Sequence, residues 1–398
     1  MPATVIDDAR TVQERVVALR RQLHRHPELG LHLPLTQSAV LDELADLDLD
    51  VRTGFSTSSI VADLTGGRPG PTVLLRGDMD ALPMPEDTGL EFASTLPDRM
   101  HACGHDAHTA MLAGAARVLA GRRDELAGRV RFMFQPGEEG FGGAVHMIDE
   151  GVVDGVDHAY ALHVSPNLPA GWIGTRGGSL MASADTFTVE VVGQGGHASM
   201  PHYAVDPVPV ACEIVTAIQS FVTRRVDVFD PTVVTVARIE AGTTSNVIAE
   251  RAVLEGTIRA VSEGSRESAQ SAVERLARNI AAAHECEAVV SIDEGYPVTV
   301  NDHASARHVL DLAGEVVGDR ARVELPSPVM GAEDFSYVLQ RVPGAMSFLG
   351  VCPPGMDPAQ APACHSNRML LDEDAMAAGV AMLVALATRP SPNPAGDA

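Results

Sequence analysis

The chain has 398 residues, of which 29 are basic and 53 acidic, so its formal charge is −24. A polyanion of that size repels nucleic acid and anionic membrane surfaces, which removes both as partners. All 29 basic residues are Arg, so Schiff-base lysines, pyridoxal attachment, Ser-Lys dyads and P-loop lysine chemistry are excluded together.

A hydrophobic share of 45% suits a globular protein, and the length points to roughly two domains. No apolar run approaches the ~20 residues of a spanning helix, and MPATVIDDAR has neither a basic region nor an apolar core of a leader. A cytoplasmic protein is expected. Five scattered cysteines do not resemble a disulfide framework; free thiols or a metal ligand are expected instead.

In chain order, apolar residues at helical spacing predict a helix from Val12 to Leu23, stopped by His26-Pro27 and Gly30. A second helix is predicted over Ser38 to Leu47. A strand at Ile60 to Leu64, a turn at Gly66 to Gly70 and a strand at Thr72 to Leu75 follow, the last running into Arg76-Gly77-Asp78-Met79-Asp80. The alternation continues with a helix at Thr109 to Leu119, a strand at Arg129 to Phe134, a helix at Gly143 to Glu150 and a strand at Ala159 to Leu162. That rhythm predicts an α/β domain with a central, mostly parallel sheet.

Residues 185–293 break the rhythm. Strand, helix, strand, strand, helix, strand is the ferredoxin-like α+β order. Helices at His303 to Val317 and Asp334 to Val342, a strand at Ala345 to Leu349 and a helix at Asp372 to Ala387 then resume the first style. The expected organisation is a discontinuous catalytic domain (1–184 and 294–388), an inserted domain (185–293) and a disordered Pro-rich tail (389–398).

Chemistry-bearing residues cluster after strands, where α/β enzymes place their sites. His101 to His108 holds three His, one Cys and one Asp, a donor set that suits a borderline cation such as zinc. Glu138 and Glu139 follow a strand; locally extended, they point apart, so one can bind a cation while the other acts as a base. His163 ends a strand, and Cys364-His365 lies in a later loop at the same expected edge. Asp78 and Asp80 are read as ligands or as acceptors behind a ligand imidazole, the latter preferred for Asp80. Taken alone, each of these residues has an ordinary structural reading; their convergence carries the signal.

Several motifs occur in a fixed order: Arg76 to Pro83, His101 to His108, Gln135 to Gly140, Leu162-His163-Val164, Gly195-Gly196-His197-Ala198, Thr244 to Ile248, Gly331 to Phe335 and Cys364-His365. In this the sequence resembles the N-acyl-amino-acid amidohydrolases of the hippurate hydrolase and auxin-conjugate hydrolase type, relatives of aminoacylase and carboxypeptidase G. The resemblance runs from about Glu14 to Ala387. It implies a di-metal peptidase-like catalytic domain with two divalent cations on Cys103, His105, Glu139, His163 and His365, and Glu138 as base. Zinc suits the set, with manganese, cobalt or nickel as alternatives; which ligand bridges stays open. It further implies that the inserted domain is a lid and dimerisation surface, that His197 and Asn246 are oxyanion donors, and that Arg259 takes the substrate carboxylate. Gly77 and Ala249 depart from the usual Ala and Pro of the family without removing a chemical group.

The expected activity is hydrolysis of the amide of an N-acyl amino acid by a metal-activated water, in a homodimer or higher oligomer. A dipeptidase or a biosynthetic N-acetyl-amino-acid deacetylase is the near alternative. A hydrolase with Cys103 as nucleophile and His105 or His108 as base, or a non-catalytic metal-binding scaffold, are the distant ones.

Overall fold

A computed structural model describes residues 4–389; positions 390–398 of the expected tail lie outside the described residues. The chain divides into two compact units.

The first unit comprises residues 4–178, 300–327 and 334–389 of the described chain. Its eight-stranded sheet runs in the order Asp50–Thr53, Ile60–Thr65, Ala127–Gln135, Arg68–Asp78, His158–Ser165, Gly344–Gly350, Ile173–Thr175, Arg322–Glu324. The four adjacent central strands (127–135, 68–78, 158–165 and 344–350) are parallel. Pairings toward the edges are antiparallel, except that between Ile173–Thr175 and Arg322–Glu324. Strand His158–Ser165 is buried along nearly its whole length and Gly344–Gly350 along all of it, which is why both read as apolar runs without alternation.

Helices Gln13–Arg25, His105–Ala120 and Met376–Thr388 pack on one another over one large core. The His105 helix buries 14 of its 16 residues, so its polar first turn is inside the protein, not in water. It starts four residues before the predicted Thr109 because apolar periodicity cannot register His105, Asp106 and His108. The helix predicted at Ser38 lies at Pro34–Leu44, set early by Pro34, whose fixed φ suits the first helical turn. Near the other end, Asp334 to Val342 forms only a five-residue helix, Phe335–Leu339. The strands Asp50–Thr53, Ile173–Thr175 and Arg322–Glu324 are too short for a pattern to show. Arg68 to Pro71, expected partly as turn, begins the long strand with a register shift before Thr72.

The second unit comprises Ser179–Thr299 with Pro328–Glu333. Its four strands, Asp185–Val192, Thr232–Ala241, Arg251–Ala260 and Glu287–Asp293, form an antiparallel sheet with the first and third strands central. Helices Pro207–Arg225 and Glu263–Ala283 cover it around a core that includes Phe187, Val189, Ile214, Leu254 and Ile258. This is the ferredoxin-like arrangement that the βαββαβ order predicts. Among the described residues, no helix is long and apolar enough to cross a membrane.

Candidate metal centre

Parallel strands point their carboxyl ends to one edge, and there the first unit gathers its polar residues. Asp78 ends one strand, Glu138 and Glu139 follow Gln135 of the next, and His163 lies near the end of a third. Cys103 stands just before the His105 helix, in a tight turn at Gly104. Gly104 has φ +82°, and a Cβ there would lie 2.4 Å from Val164 Cγ2, so both backbone conformation and space require glycine.

Ligand-competent atoms fall into overlapping triads, each within 4.8 Å: Cys103, His105 and His163; Cys103, Glu139 and His365; His105, Glu138 and Glu139. All five side chains expected as ligands are therefore brought together, with Glu138 beside them. Cys103 belongs to two triads. A fourth set, Asp78, His105 and His108, is equally close.

Hydrogen bonds decide which imidazole nitrogens are available. His163 donates Nδ1–H to the Val164 carbonyl (2.7 Å), which leaves the Nε2 lone pair facing Cys103 Sγ at 3.4 Å. His108 is different: its Nε2 accepts from the Val164 amide (2.8 Å), so Nδ1 carries the proton toward Asp78 Oδ1 (2.6 Å). Burial pushes His108 down to about 4, only partly offset by Asp78. Both its nitrogens are used, and it is a neutral prop, neither ligand nor base.

His105 is 1% exposed, yet neither ring nitrogen has a hydrogen-bond partner. Its Nε2 lies 3.4 Å from Asp78 Oδ2 and its Nδ1 3.6 Å from Asp80 Oδ1. Burial opposes a proton there, but Asp78, Asp80 and Glu139 outweigh it and raise the group to about 10. Oε1 of Glu139 is also buried without a hydrogen bond, although His365 Nε2 stands 3.1 Å away. Orphaned buried atoms beside surplus carboxylate are what a site for cations requires. The donor set of thiolate, imidazole and carboxylate fits zinc or a similar ion.

His365 reaches the cluster from an unusual backbone, φ +69°, fixed by its amide donating to the Ala102 carbonyl (2.8 Å). The Cys364 thiol before it contacts the Val164 carbonyl (3.9 Å). The two thiols shift each other: Cys103 lowers Cys364 to about 6, and Cys364, together with burial, raises Cys103.

Asp80 accepts the amides of Glu138 (2.9 Å, Oδ1) and Glu139 (3.0 Å, Oδ2) and so holds the turn that carries both acids. The amide of Gly140 closes that turn onto the Glu138 carbonyl (2.7 Å). Behind Asp78 lies a buried network that the sequence reading left without a role. Arg76 donates to Asp78 (2.6 Å), Gln135 (3.0 Å) and Asp334 (3.1 Å), and Gln135 donates to Asp334 (2.8 Å). Asp334 also caps the helix Gly143–Asp149 through the Ala144 amide (2.9 Å).

In the second unit, His197 and Asn246 come together on a two-stranded ladder in which His197 pairs with Val247. His197 Nδ1 accepts from the Ser199 amide (3.1 Å), so the neutral ring carries its proton on Nε2. Both residues line an open groove of about 730 Å³ with Gly195 and Gly196. Arg259, part-buried, donates to the Met330 carbonyl (3.0 Å).

Residues 74–389 match the model of peptidase family M20/M25/M40. The chain belongs to this family. It is 37% identical over 392 residues to thermostable carboxypeptidase 1 of Saccharolobus solfataricus, covering 96% of this chain and 97% of that one. With IAA-amino acid hydrolase ILR1-like 4 of Arabidopsis thaliana it shares 36% identity over 378 residues, 94% of this chain and 85% of the other. Among solved structures, the Bacillus subtilis YXEP protein, described as a dinuclear metal binding peptidase of the M20 family, superposes with a TM-score of 0.81. That match has 31% identity and covers 95% of this chain and 99% of that one. This M20-family protein is thus a metal-dependent hydrolase of amides, and the triads around Cys103 are its candidate metal centre.

Proposed function

We propose that the protein hydrolyses the amide of N-acylated amino acids, hippurate-like or other acyl and aryl conjugates, releasing a carboxylic acid and an amino acid. The observation that carries this reading is the meeting of five ligand-competent side chains with Glu138 at one sheet edge. Cys103, His105, Glu139, His163 and His365 would hold two divalent cations, zinc by the chemistry of the donors. Bound there, such cations polarise a carbonyl and make a water acidic near neutral pH.

Glu138 takes the proton of the attacking water and returns it to the leaving nitrogen. Asp80 keeps that carboxylate in place through the backbone. His197, with its proton on Nε2, and Asn246 donate to the substrate carbonyl oxygen. Arg259 pairs with the substrate carboxylate. Residues 1–184 and 294–388 serve as the catalytic domain, and 185–293 as the lid and the surface of a cytoplasmic homodimer. A hydrolase with Cys103 as nucleophile and His108 as base is disfavoured because both His108 nitrogens are committed, one to the Val164 amide and one to Asp78.

The test is elemental analysis and a substrate panel on one preparation, with N-acetyl, N-benzoyl and indole-3-acetyl amino acids beside dipeptides. Two metal equivalents per chain and hydrolysis of acyl amino acids are expected. Cleavage of dipeptides alone, or hydrolysis unaffected by chelators, overturns the reading.

A further inference from the structure

The site contains a thiol that the ligand set does not use. Cys364 is part-exposed and directs a weak contact to the Val164 carbonyl (3.9 Å). Among the described residues, the ligand-competent triads near the sheet edge include Cys103 twice and Cys364 not at all. The backbone brings the two cysteines close independently of their side chains. The peptide joining Ala102 to Cys103 accepts the hydrogen bond of the peptide joining Cys364 to His365 (2.8 Å). Both sulfurs are also referred to the same short stretch of strand, Cys103 to His163 Nε2 at 3.4 Å and Cys364 to the next residue. Cys352, by contrast, turns its thiol to the carbonyls of Pro353 and Met356, and Cys212 and Cys286 belong to the second unit.

We propose that Cys103 and Cys364 form a reversible disulfide under peroxide in the metal-free protein, which takes the Cys103 thiolate out of the ligand set and blocks metal uptake. The Cys364 sulfur attacks one peroxide oxygen and the O–O bond breaks. One water leaves, and Cys364 is a sulfenic acid. The Cys103 sulfur then displaces that oxygen, which departs as a second water with the remaining thiol proton. Two thiols are oxidised and one hydrogen peroxide is reduced to two waters. A cation on Cys103 occupies the attacking sulfur, so the metal-free protein is the sensitive form. A dithiol reductant restores both thiols by exchange. The consequence for activity rests on the hydrolase reading above, whereas the bond itself does not.

The experiment treats metal-free and zinc-loaded full-length protein with hydrogen peroxide, then digests it without reduction and maps linked peptides by mass spectrometry. Zinc capacity is measured before and after dithiothreitol. The expected result is a peptide linking Cys103 to Cys364, formed at least about tenfold faster without zinc, with zinc capacity lost and then recovered on reduction. C364S should bind zinc normally, form no link, and lose zinc capacity in a way dithiothreitol does not repair. The proposal is overturned if Cys103 gains oxygens without a link, if it links to another cysteine, or if C364S shows the same reducible loss. Should C364S not fold, the wild-type peptide map decides alone. A Cys103–Cys364 link in a protein that cleaves no acyl amino acid would sink the function and leave the switch.

Discussion

Asp80 has the most to lose from a small change. It is 1% exposed and its two oxygens accept the amides of Glu138 and Glu139 at 2.9 and 3.0 Å. Hydrogen bonds to a charged acceptor contribute about 1.5–3 kcal/mol each, so the pair is worth about 3–6 kcal/mol at most. Asp80→Ala strands both amides and removes a negative charge 3.6 Å from His105 Nδ1. Loss of a carboxylate behind the ligands typically lowers metal affinity 10- to 100-fold, or about 1.4–2.7 kcal/mol. The remainder should appear as lost stability of the metal-free protein. Asp80→Asn keeps one acceptor but turns an NH2 donor toward the other amide, so it should recover no more than half. Competition with a chromophoric chelator measures the zinc affinity, and urea unfolding measures the stability. An Asp80→Ala protein with wild-type zinc affinity and wild-type midpoint would refute this account of the turn.

Glu138→Gln should keep its metal, by elemental analysis, and lose at least about 100-fold in turnover; undiminished turnover would remove Glu138 as the base. Arg259→Ala should raise KM for substrates with a free α-carboxylate more than for their amides, and equal effects on the two would contradict the pairing. His24 is buried; although burial opposes its charge, Asp106 (2.8 Å) and Glu86 (3.2 Å) outweigh burial and the nearby Arg20 and raise it to about 9. Because that lies above the unfolded value of about 6.5, its contribution, up to about 3 kcal/mol, is complete below pH 6.5 and vanishes as pH rises through 9. Urea unfolding of His24→Gln from pH 6 to 9.5 should show a flatter pH dependence than wild type; an unchanged slope counts against it. In the second unit, Arg266→Ala removes the cation paired with the buried Asp185 (2.6 Å) and leaves it the Gln270 side chain and the Gly295 amide, so unfolding should show up to about 3–5 kcal/mol lost, partly regained in the double variant with Asp185→Asn.

What the sequence made legible was local. The strand before Asp78, the Cys103 to His108 cluster and the Glu138-Glu139 pair each sit within a few residues of an apolar run that fixes their place. The ferredoxin-like order was readable because its two long helices are strongly amphipathic. Arg76 and Asp334 were in view as parts of motifs, but their contact joins positions 258 apart, and no local period encodes such a pairing. His108 looked like a ligand candidate until its hydrogen bonds were known, since composition cannot tell a used nitrogen from an available one. Cys364 was read only as a neighbour of His365. Its relation to Cys103 depends on how a late loop lies beside Ala102.

The absence of lysine has a physical counterpart in how the acids behind the site are held. Arg76 spreads one guanidinium over Asp78, Gln135 and Asp334, and Arg20 joins Asp106 (3.1 Å) to Glu373 (2.7 Å). A lysine ammonium is a point charge without the planar fork that such branching needs. The acids committed to these arginines are thereby fixed as structure: Asp334 caps a helix and Asp106 orients His24. Asp80 and Glu139 are treated differently. One accepts backbone amides and faces His105, and the other keeps a buried oxygen without a hydrogen bond. Together with Asp78 they hold a proton on His105 well beyond neutral pH. The surplus of carboxylate around His105 is the charge that divalent cations would neutralise. Metal uptake should therefore release protons, and zinc affinity should weaken as pH falls and His105 competes for the same field.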